Sequence, residues 1–351
     1  MDISSRKGFS PCSLEIKQKL KSLMRPREWA SIQAYAADWT LIIGAAASSW
    51  YSFSALGIGL PSLFVYLIAA LVIASRQKGL ENLIHEASHF NLSRNRQFNE
   101  AMCYWLGGMW LHPGLTLESQ RQSHVKGHHA FFWDPVRDPK YGGHKSLGLD
   151  QLPQKTMWGV AQVLGVAFAR SYVWKLFSVI RGGDLRRITK DRFLMLRKAT
   201  VLLTVALFVY SGLLVPLALY FFFPSITLLP LISFLAQMSE HAGTQGDTEF
   251  QRTRNKLGFV QEYFLHPHGD GYHIVHHLYP SIPHHNLCRA HHFLMRDPVY
   301  QAGNHCYGLG IVPSNVHGIL SDMVTTIETP RSIDGNIETM TREREKESSL
   351  L

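Results

Sequence analysis

Four long apolar stretches are the feature of this sequence that most restricts its fold. A helix that crosses the hydrocarbon core of a membrane takes about 20 predominantly apolar residues. The predicted spans cover residues 39–58, 63–76, 199–223 and 225–240. Glycine and proline separate the first pair, and Pro224 separates the second, so the spans are expected to form two tight hairpins. We therefore predict an all-α membrane protein with four transmembrane helices.

The positions of the basic residues predict how these hairpins are oriented. All 35 Lys and Arg residues fall into three blocks, seven in residues 1–38, 19 in residues 76–198 and nine in residues 252–351. The two predicted turns, near residues 59–62 and 223–225, contain none. Because loops rich in Lys and Arg stay on the cytoplasmic side, both termini and the long middle segment are predicted to be cytoplasmic. The same rule explains the net charge of +9 without a nucleic-acid partner.

Outside the spans, the sequence predicts several further segments. Residues 1–38 form a basic cytoplasmic segment without the features of a cleaved signal peptide. Ala101–Leu111 is too short to cross a membrane and is predicted to be re-entrant or interfacial, and Met157–Ile180 to be an amphipathic helix at the level of the lipid headgroups. Residues 301–351 form a polar tail that is predicted to be partly disordered. The four cysteines show no pairing pattern, which indicates reduced thiols.

Three clusters stand out among the 19 histidines of the chain. The first is His85-Glu-Ala-Ser-His89, the second is His124-Val-Lys-Gly-His128-His129, and the third is His273-Ile-Val-His276-His277. If the second apolar helix continues beyond the membrane, the i, i+4 spacing places both histidines of the first cluster on one face. A further histidine, His241, ends the fourth apolar stretch, and Gln237 lies one helical turn before it.

These residues match the needs of a metal centre that reacts with oxygen. Iron that changes its oxidation state binds imidazole readily, and two irons need many ligands while positions stay open for O2. The three clusters and His241 supply nine nitrogen donors, and Gln237 is a possible further contact through its oxygen or a water. Each cluster lies just outside an apolar stretch, on the charged side. A hydrocarbon chain in the bilayer is therefore expected to reach towards the metals.

Simpler interpretations of these histidines remain open from the residues alone. The first cluster is compatible with a place at the membrane interface, and the other two with a solvated surface. His241 could interact with the dipole of the helix that it ends, and Glu240 is expected to support a ligand or face solvent. A metal transporter with histidine-rich loops is a further alternative. Against it, the predicted spans carry no His, Asp or Glu at mid-membrane depth.

The order of the clusters resembles that of the membrane fatty-acid desaturases and related lipid hydroxylases, whose signature is three histidine boxes around two membrane hairpins. The boxes here are HEASH, HVKGHH and HIVHH. Asp138-Pro139 after the second box, and the run HHLYPSIP from His276 to Pro283, are similar to the same family. The resemblance covers about residues 35–300, and residues 39–300 are accordingly identified as a membrane desaturase-like domain.

The resemblance implies a non-haem di-iron site, O2 as co-substrate, and two electrons from a separate donor such as a ferredoxin or a small cytochrome. It assigns to iron His85, His89, His124, His128, His129, His273, His276 and His277, together with His241, while Gln237 takes the place of an asparagine in some relatives. The expected reaction is desaturation of a fatty acyl or lipid-linked chain. Hydroxylation and oxidative decarboxylation to a terminal alkene are alternatives on the same scaffold.

Overall fold

The computed structural model describes residues 7–11, 13–112, 114, 116–180, 194–309 and 318–324. Over these residues the protein is mostly helical, as predicted. The α-helices in chain order are α1 (Leu14–Leu23), α2 (Glu28–Leu56), α3 (Leu60–Ser88), α4 (Arg96–Cys103), α5 (Met109–Leu111), α6 (Leu117–Gln120), α7 (Pro139–Leu147), α8 (Met157–Ile180), α9 (Leu194–Tyr210), α10 (Leu214–Leu217), α11 (Phe223–Ile226), α12 (Leu228–His241), α13 (His273–Leu278), α14 (His284–Leu294) and α15 (Pro298–Gln301). Four π-helical segments, Tyr104–Gly108, Arg121–His129, Ala218–Phe222 and Gln261–Leu265, and two 3₁₀ turns, Leu149–Gln151 and Ser321–Met323, complete the helical structure that is described.

Helices α2 and α3 form the first hairpin. Each is 29 residues long, and they pack against each other along their length. Gly57 ends α2 with a φ of 68°, a conformation that glycine adopts without strain. Helix α3 continues 12 residues beyond the end of the predicted span at residue 76. The expectation that this helix carries the first histidine cluster out of the apolar stretch is thereby confirmed.

The second hairpin turns at a different place from the one predicted. Helix α9 ends at Tyr210, and a single helical run of 28 residues then extends from Leu214 to His241. The predicted break at Pro224, between spans 199–223 and 225–240, is therefore wrong. A proline inside a helix removes one hydrogen bond, but a π-helical segment just before Pro224 already changes the bonding pattern, and the helix continues. The turn is made instead at Gly212, whose φ is 71°.

Two of the described helices are long and apolar enough to cross a membrane, Leu60–Ser88 and Leu214–His241. They agree with membrane association of the chain. Helix α2 is as long as α3 but is not one of these two helices, and α9 has only 17 described residues. Four transmembrane helices and a cytoplasmic cap thus remain a prediction, and so does the headgroup position of α8, whose helical structure is as expected.

A short parallel sheet departs from the all-α prediction. Strand β1 (Asn255–Leu257) pairs with β2 (His305–Tyr307), and Ile319 and Met323 are also buried. The beginning of the predicted polar tail is therefore part of the folded protein, while residues 325–351 lie outside the described ones. Helix α1, in the predicted N-terminal segment, likewise packs Leu20 against the core around α13 and α14. Cys103, Cys288 and Cys306 are free thiols, as predicted, and Cys12 is not among the described residues.

Candidate metal centre

All nine histidines proposed as metal ligands converge on one place in the fold. They form three overlapping groups: His85, His89, His124, His129 and His276; His128, His241 and His277; and Glu240, His241 and His273. Within each group the potential ligand atoms lie within 4.8 Å of one another. Because the second and third groups share His241, the arrangement amounts to one set of five imidazoles beside a set of four.

In the five-histidine set, the ring nitrogens point at one another. The Nε2 atom of His124 lies 2.6 Å from that of His85, and the Nε2 atom of His129 lies 3.1 Å from His124 and 3.0 Å from His276. Each ring nitrogen offers either one hydrogen or one lone pair, so His129 Nε2 cannot satisfy both neighbours by hydrogen bonding. A cation among these nitrogens would satisfy them all, which fits a metal-binding site.

The four-histidine set is buried and equally close. The ring centroid of His277 lies 5.0 Å from those of both His128 and His241, and the Nε2 atoms of His241 and His273 are 3.3 Å apart. The Nε2 atoms of His128 and His277, and that of His89 in the other set, are buried with no hydrogen-bond partner among the described residues. Buried polar atoms are nearly always paired. These unpaired nitrogens are therefore consistent with bonds to metal.

The backbone of the second cluster explains how one box serves both sets. Arg121–His129 is a π-helix, whose i→i+5 hydrogen bonds make a wider turn than an α-helix and bring residues five apart closer to one face. His124 and His129 consequently face the five-histidine set, and His128 faces the other. In the third cluster, α13 is an ordinary helix, and its adjacent residues His276 and His277 point about 100° apart into different sets. Two of the three boxes thus contribute to both sets.

Residues around the ligands fix the orientation of their rings. Asp138 accepts a hydrogen bond at 3.0 Å from His128 Nδ1, and its carboxylate also accepts the backbone N–H groups of Trp133 and Lys140. His241 Nδ1 donates to the carbonyl of Arg252 at 2.9 Å. Such bonds leave Nε2 free for a metal, and this kind of support is typical of histidine ligands in metal sites. The Asp-Pro pair after the second box indicated Asp138 in advance, whereas nothing in the sequence indicated the Arg252 carbonyl.

Burial determines the protonation of the centre. It lowers the pKa of His89, His124, His129, His276 and His277 well below the usual value, and the neighbouring histidines lower it further. Burial alone would raise the pKa of Asp138, but hydrogen bonds from His128 and from two backbone amides lower it overall. At neutral pH the imidazoles are therefore uncharged and Asp138 is ionised. A neutral imidazole is the form that binds metal.

Glu240, the residue before His241, is close to two lysines. Glu240 is buried, with one carboxylate oxygen 2.5 Å from Lys140 Nζ and 3.5 Å from His273 Nε2, so it does not face solvent. Lys256 Nζ lies 3.7 Å from its other oxygen. No sequence pattern had indicated the two lysines.

Gln237, by contrast, is exposed. It lies about 6 Å from His241 along the helix axis. Its assignment as a tenth metal contact stays a prediction.

Comparison with known proteins adds to this geometry. The family model for the fatty acid desaturases matches residues 61–307, a region that contains all three histidine clusters and His241. Among curated proteins, dihydrorhizobitoxine desaturase from Bradyrhizobium elkanii is 29% identical over 255 residues. That alignment covers 68% of this chain and 70% of the relative. The region that the family model matches thus contains the whole candidate metal centre.

Proposed function

The chain belongs to the fatty acid desaturase family and is an oxidoreductase, and from this premise we propose that it introduces a double bond into a lipid-like substrate with O2 and two bound irons. The observation that carries the proposal is the convergence of nine imidazoles in two adjacent sets. Nine nitrogen donors exceed what one ion can coordinate, and two ions with open positions suit O2 chemistry. In the proposed reaction, O2, two protons, two electrons and the substrate yield the alkene and two waters.

We assign one iron to the set of His85, His89, His124, His129 and His276, and the other to the set of His128, His241, His273 and His277. When bound, the irons would supply the O2 activation that removal of hydrogen from an unactivated carbon requires. Asp138 and the Arg252 carbonyl orient two imidazoles of the second set. Lys140 and Lys256 compensate the charge of Glu240 beside His273.

The membrane arrangement in this proposal comprises both helical hairpins. Helices α2 and α3, and α9 with the run Leu214–His241, are taken as four spans in two pairs. The turns around Gly57 and Gly212 contain no Lys or Arg, so the rule of basic loops still puts the metal centre and both termini in the cytoplasm. In this arrangement the ligands at the ends of α3 and α12 lie where a chain rising from the bilayer meets the cytoplasmic face.

The electrons are proposed to come from a separate protein, a ferredoxin or a small cytochrome. The substrate is proposed to be a fatty acyl or other lipid-like chain, as the family description suggests. The relative named above, however, is named for dihydrorhizobitoxine and not for a fatty acid. Substrates beyond fatty acids are therefore included in the proposal.

Metal content and product together test this function. Protein purified in detergent is expected to hold close to two irons per chain. With a reductant it should consume O2 only when a substrate is present, and mass spectrometry should find a product two hydrogens lighter. A product heavier by one oxygen would replace desaturation by hydroxylation. A protein that holds one iron, or that works with zinc alone, would contradict the two-iron centre.

A further inference from the structure

A partly buried carboxylate lies one helical turn from the candidate metal centre, on the membrane side. Glu81 precedes His85 by four residues in α3, so the two share a face of the helix and lie about 6 Å apart along its axis. Its Oε1 atom is 3.1 Å from His112 Nε2, and its Oε2 atom accepts a hydrogen bond from Ser233 at 2.7 Å. Glu81 lies five residues beyond the end of the predicted span at residue 76, in the part of α3 that leads to the first histidine cluster.

Helix α12, which packs against α3, carries polar side chains on the face that meets Glu81. Ser233, Gln237 and His241 follow one another at four-residue spacing in α12, and the bond between Ser233 and Glu81 shows that the two faces meet. Gln237 lies one helical turn from both Ser233 and the proposed ligand His241, and its side chain is exposed. The face on which α3 and α12 meet beside the candidate metal centre is therefore polar, whereas a plain alkyl chain would be best accommodated by apolar side chains.

Two groups on this face, Glu81 and Gln77, keep free acceptor sites. A carboxylate has about four acceptor sites, of which His112 and Ser233 occupy two, and 15% of the Glu81 side chain is exposed. One turn closer to the membrane, the Nε2 amide of Gln77 donates a hydrogen bond to the Phe221 carbonyl at 3.1 Å. Its Oε1 is buried with no partner among the described residues. These acceptors call for hydrogen-bond donors on the substrate.

We propose that Glu81, supported by His112 and Ser233, recognises a hydroxyl or amine group that the substrate carries a few bonds from the carbon that is oxidised. The inference rests on the proposed oxidation at the histidine centre and narrows its substrate class from lipid-like chains in general to chains with a polar donor near the reacting carbon. Lys78 lies 3.9 Å from Glu81 Oε2 and offsets part of its charge, so a neutral hydroxyl is accommodated as well as an ammonium.

Binding to the purified, iron-loaded protein tests the proposal without turnover. The probes are dodecanol, dodecylamine and dodecane, which share one alkyl chain and differ in the donor group. Wild-type protein is expected to bind dodecanol or dodecylamine at least about tenfold more tightly than dodecane, because a site built for a polar group rejects the analogue that lacks it. In Glu81→Leu this preference should fall to about twofold or less, with dodecane binding maintained. If the wild type binds dodecylamine more tightly than dodecanol, Glu81→Gln should bind the two probes with equal affinity.

Two further variants distinguish recognition of the substrate's donor group by Glu81 from a purely structural bond between Glu81 and Ser233. Gln77→Leu removes the neighbouring acceptor without touching the bond between the helices, and it should weaken the preference partly. Ser233→Ala removes the bond, and it should lower the melting temperature more than it changes the preference. Equal binding of all three probes by the wild type, or an unchanged preference in Glu81→Leu, would overturn the inference. Iron content is measured on the same samples, so loss of the two-iron centre would count against the proposed function and not against this site.

Discussion

His128 and Asp138 form a buried pair in which a carboxylate oxygen lies 3.0 Å from the imidazole Nδ1. The carboxylate is held in turn by the backbone N–H groups of Trp133 and Lys140, at 2.8 Å each. With Nδ1 engaged, His128 presents Nε2 to the four-histidine set. The pair thus links the loop after the second box to the metal centre.

We expect Asp138→Asn to weaken iron binding by about 10- to 100-fold, the range typical of residues that support a metal ligand. The amide cannot hold His128 as a charged acceptor does, although it has the same shape. Titration with a competing chelator measures the affinity. Asp134→Asn is the matched control, because Asp134 pairs with Arg137 on the exposed side of the same loop. Equal iron affinity in the two variants would mean that Asp138 has no part in the site.

The convergence of the nine histidines could be predicted because their spacing is local and the boxes lie next to apolar helices. The i, i+4 pair in HEASH needed only that α3 continue to Ser88, which it does. The division of the boxes between two sets could not be predicted. It depends on a π-helix at Arg121–His129, and a sequence pattern read with a period of 3.6 residues puts His128, not His129, on the face of His124.

The other departures from prediction depend on contacts between distant residues. Pro224 is a strong local signal for a break, yet the chain turns at Gly212 because the helix accommodates the proline. Glu240 is buried because Lys140 and Lys256, from segments about 100 and 16 positions away, come close enough to compensate its charge. Pairing of β1 with β2 likewise joins residues 50 positions apart.

Replacement of His276 or His277 by alanine should remove one iron each, but from different sets. His276 belongs to the five-histidine set and His277 to the other, so each variant is expected to hold about one iron and no activity. Iron-to-protein ratios and the spectroscopic signature of the remaining iron check this. His284 and His285 lie outside both sets, and the double alanine variant should keep its iron, with activity lowered by about tenfold at most. Loss of iron in that control, with retention in His276→Ala, would show that the ligands have been assigned wrongly.

Acidification should destabilise the metal-free protein, and His266 is expected to contribute. Its pKa is lowered to about 4, first by burial and then by the charge of Lys256, although the hydrogen bond to Asp270 opposes this. In the unfolded chain the pKa is about 6.5. Between these values the unfolded state binds a proton that the folded state does not, so the free energy of unfolding falls as the pH falls, by about 1.4 kcal/mol per unit.

His266→Asn should therefore show a shallower loss of melting temperature than the wild type between about pH 6.5 and 4, and a parallel profile above that window. The variant also loses bonds to Ser239 and Asp270, which lowers its stability at every pH. Only the slope of the melting temperature against pH reports on the titration of His266. Identical slopes in the two proteins would exclude His266 as a source of the acid sensitivity.

A methyl group at Gly79 should disturb the contact between α2 and the loop before the third box. A Cβ there would lie 2.5 Å from Asp38 Oδ2, the oxygen that bonds His268 Nε2 at 2.7 Å. Gly44→Ala is the matched control, since a Cβ at Gly44 meets nothing within 4 Å. Both variants gain helix propensity, so the difference between their free energies of unfolding reports the overpacking at Gly79. We expect Gly79→Ala to be about 1–3 kcal/mol less stable than Gly44→Ala. Thermal unfolding of the two in one detergent measures it, and equal stability would mean that Asp38 moves aside at little cost.

The position of the second turn gives the sharpest test of the membrane arrangement. Ser211 lies in the turn before Leu214, whereas Ser225 lies inside the helical run to His241, about 18 Å along its axis from the turn. In a variant without reactive native cysteines, Ser211→Cys should react with an impermeant maleimide from the side opposite the cytoplasm, and Ser225→Cys should react from neither side. Asp150→Cys should react only from the cytoplasmic side. Labelling of Ser225→Cys in place of Ser211→Cys would restore the turn at Pro224. Labelling of Asp150→Cys from the same side as Ser211→Cys would overturn the two-hairpin arrangement, because the second histidine box would then be separated from the other two by the membrane.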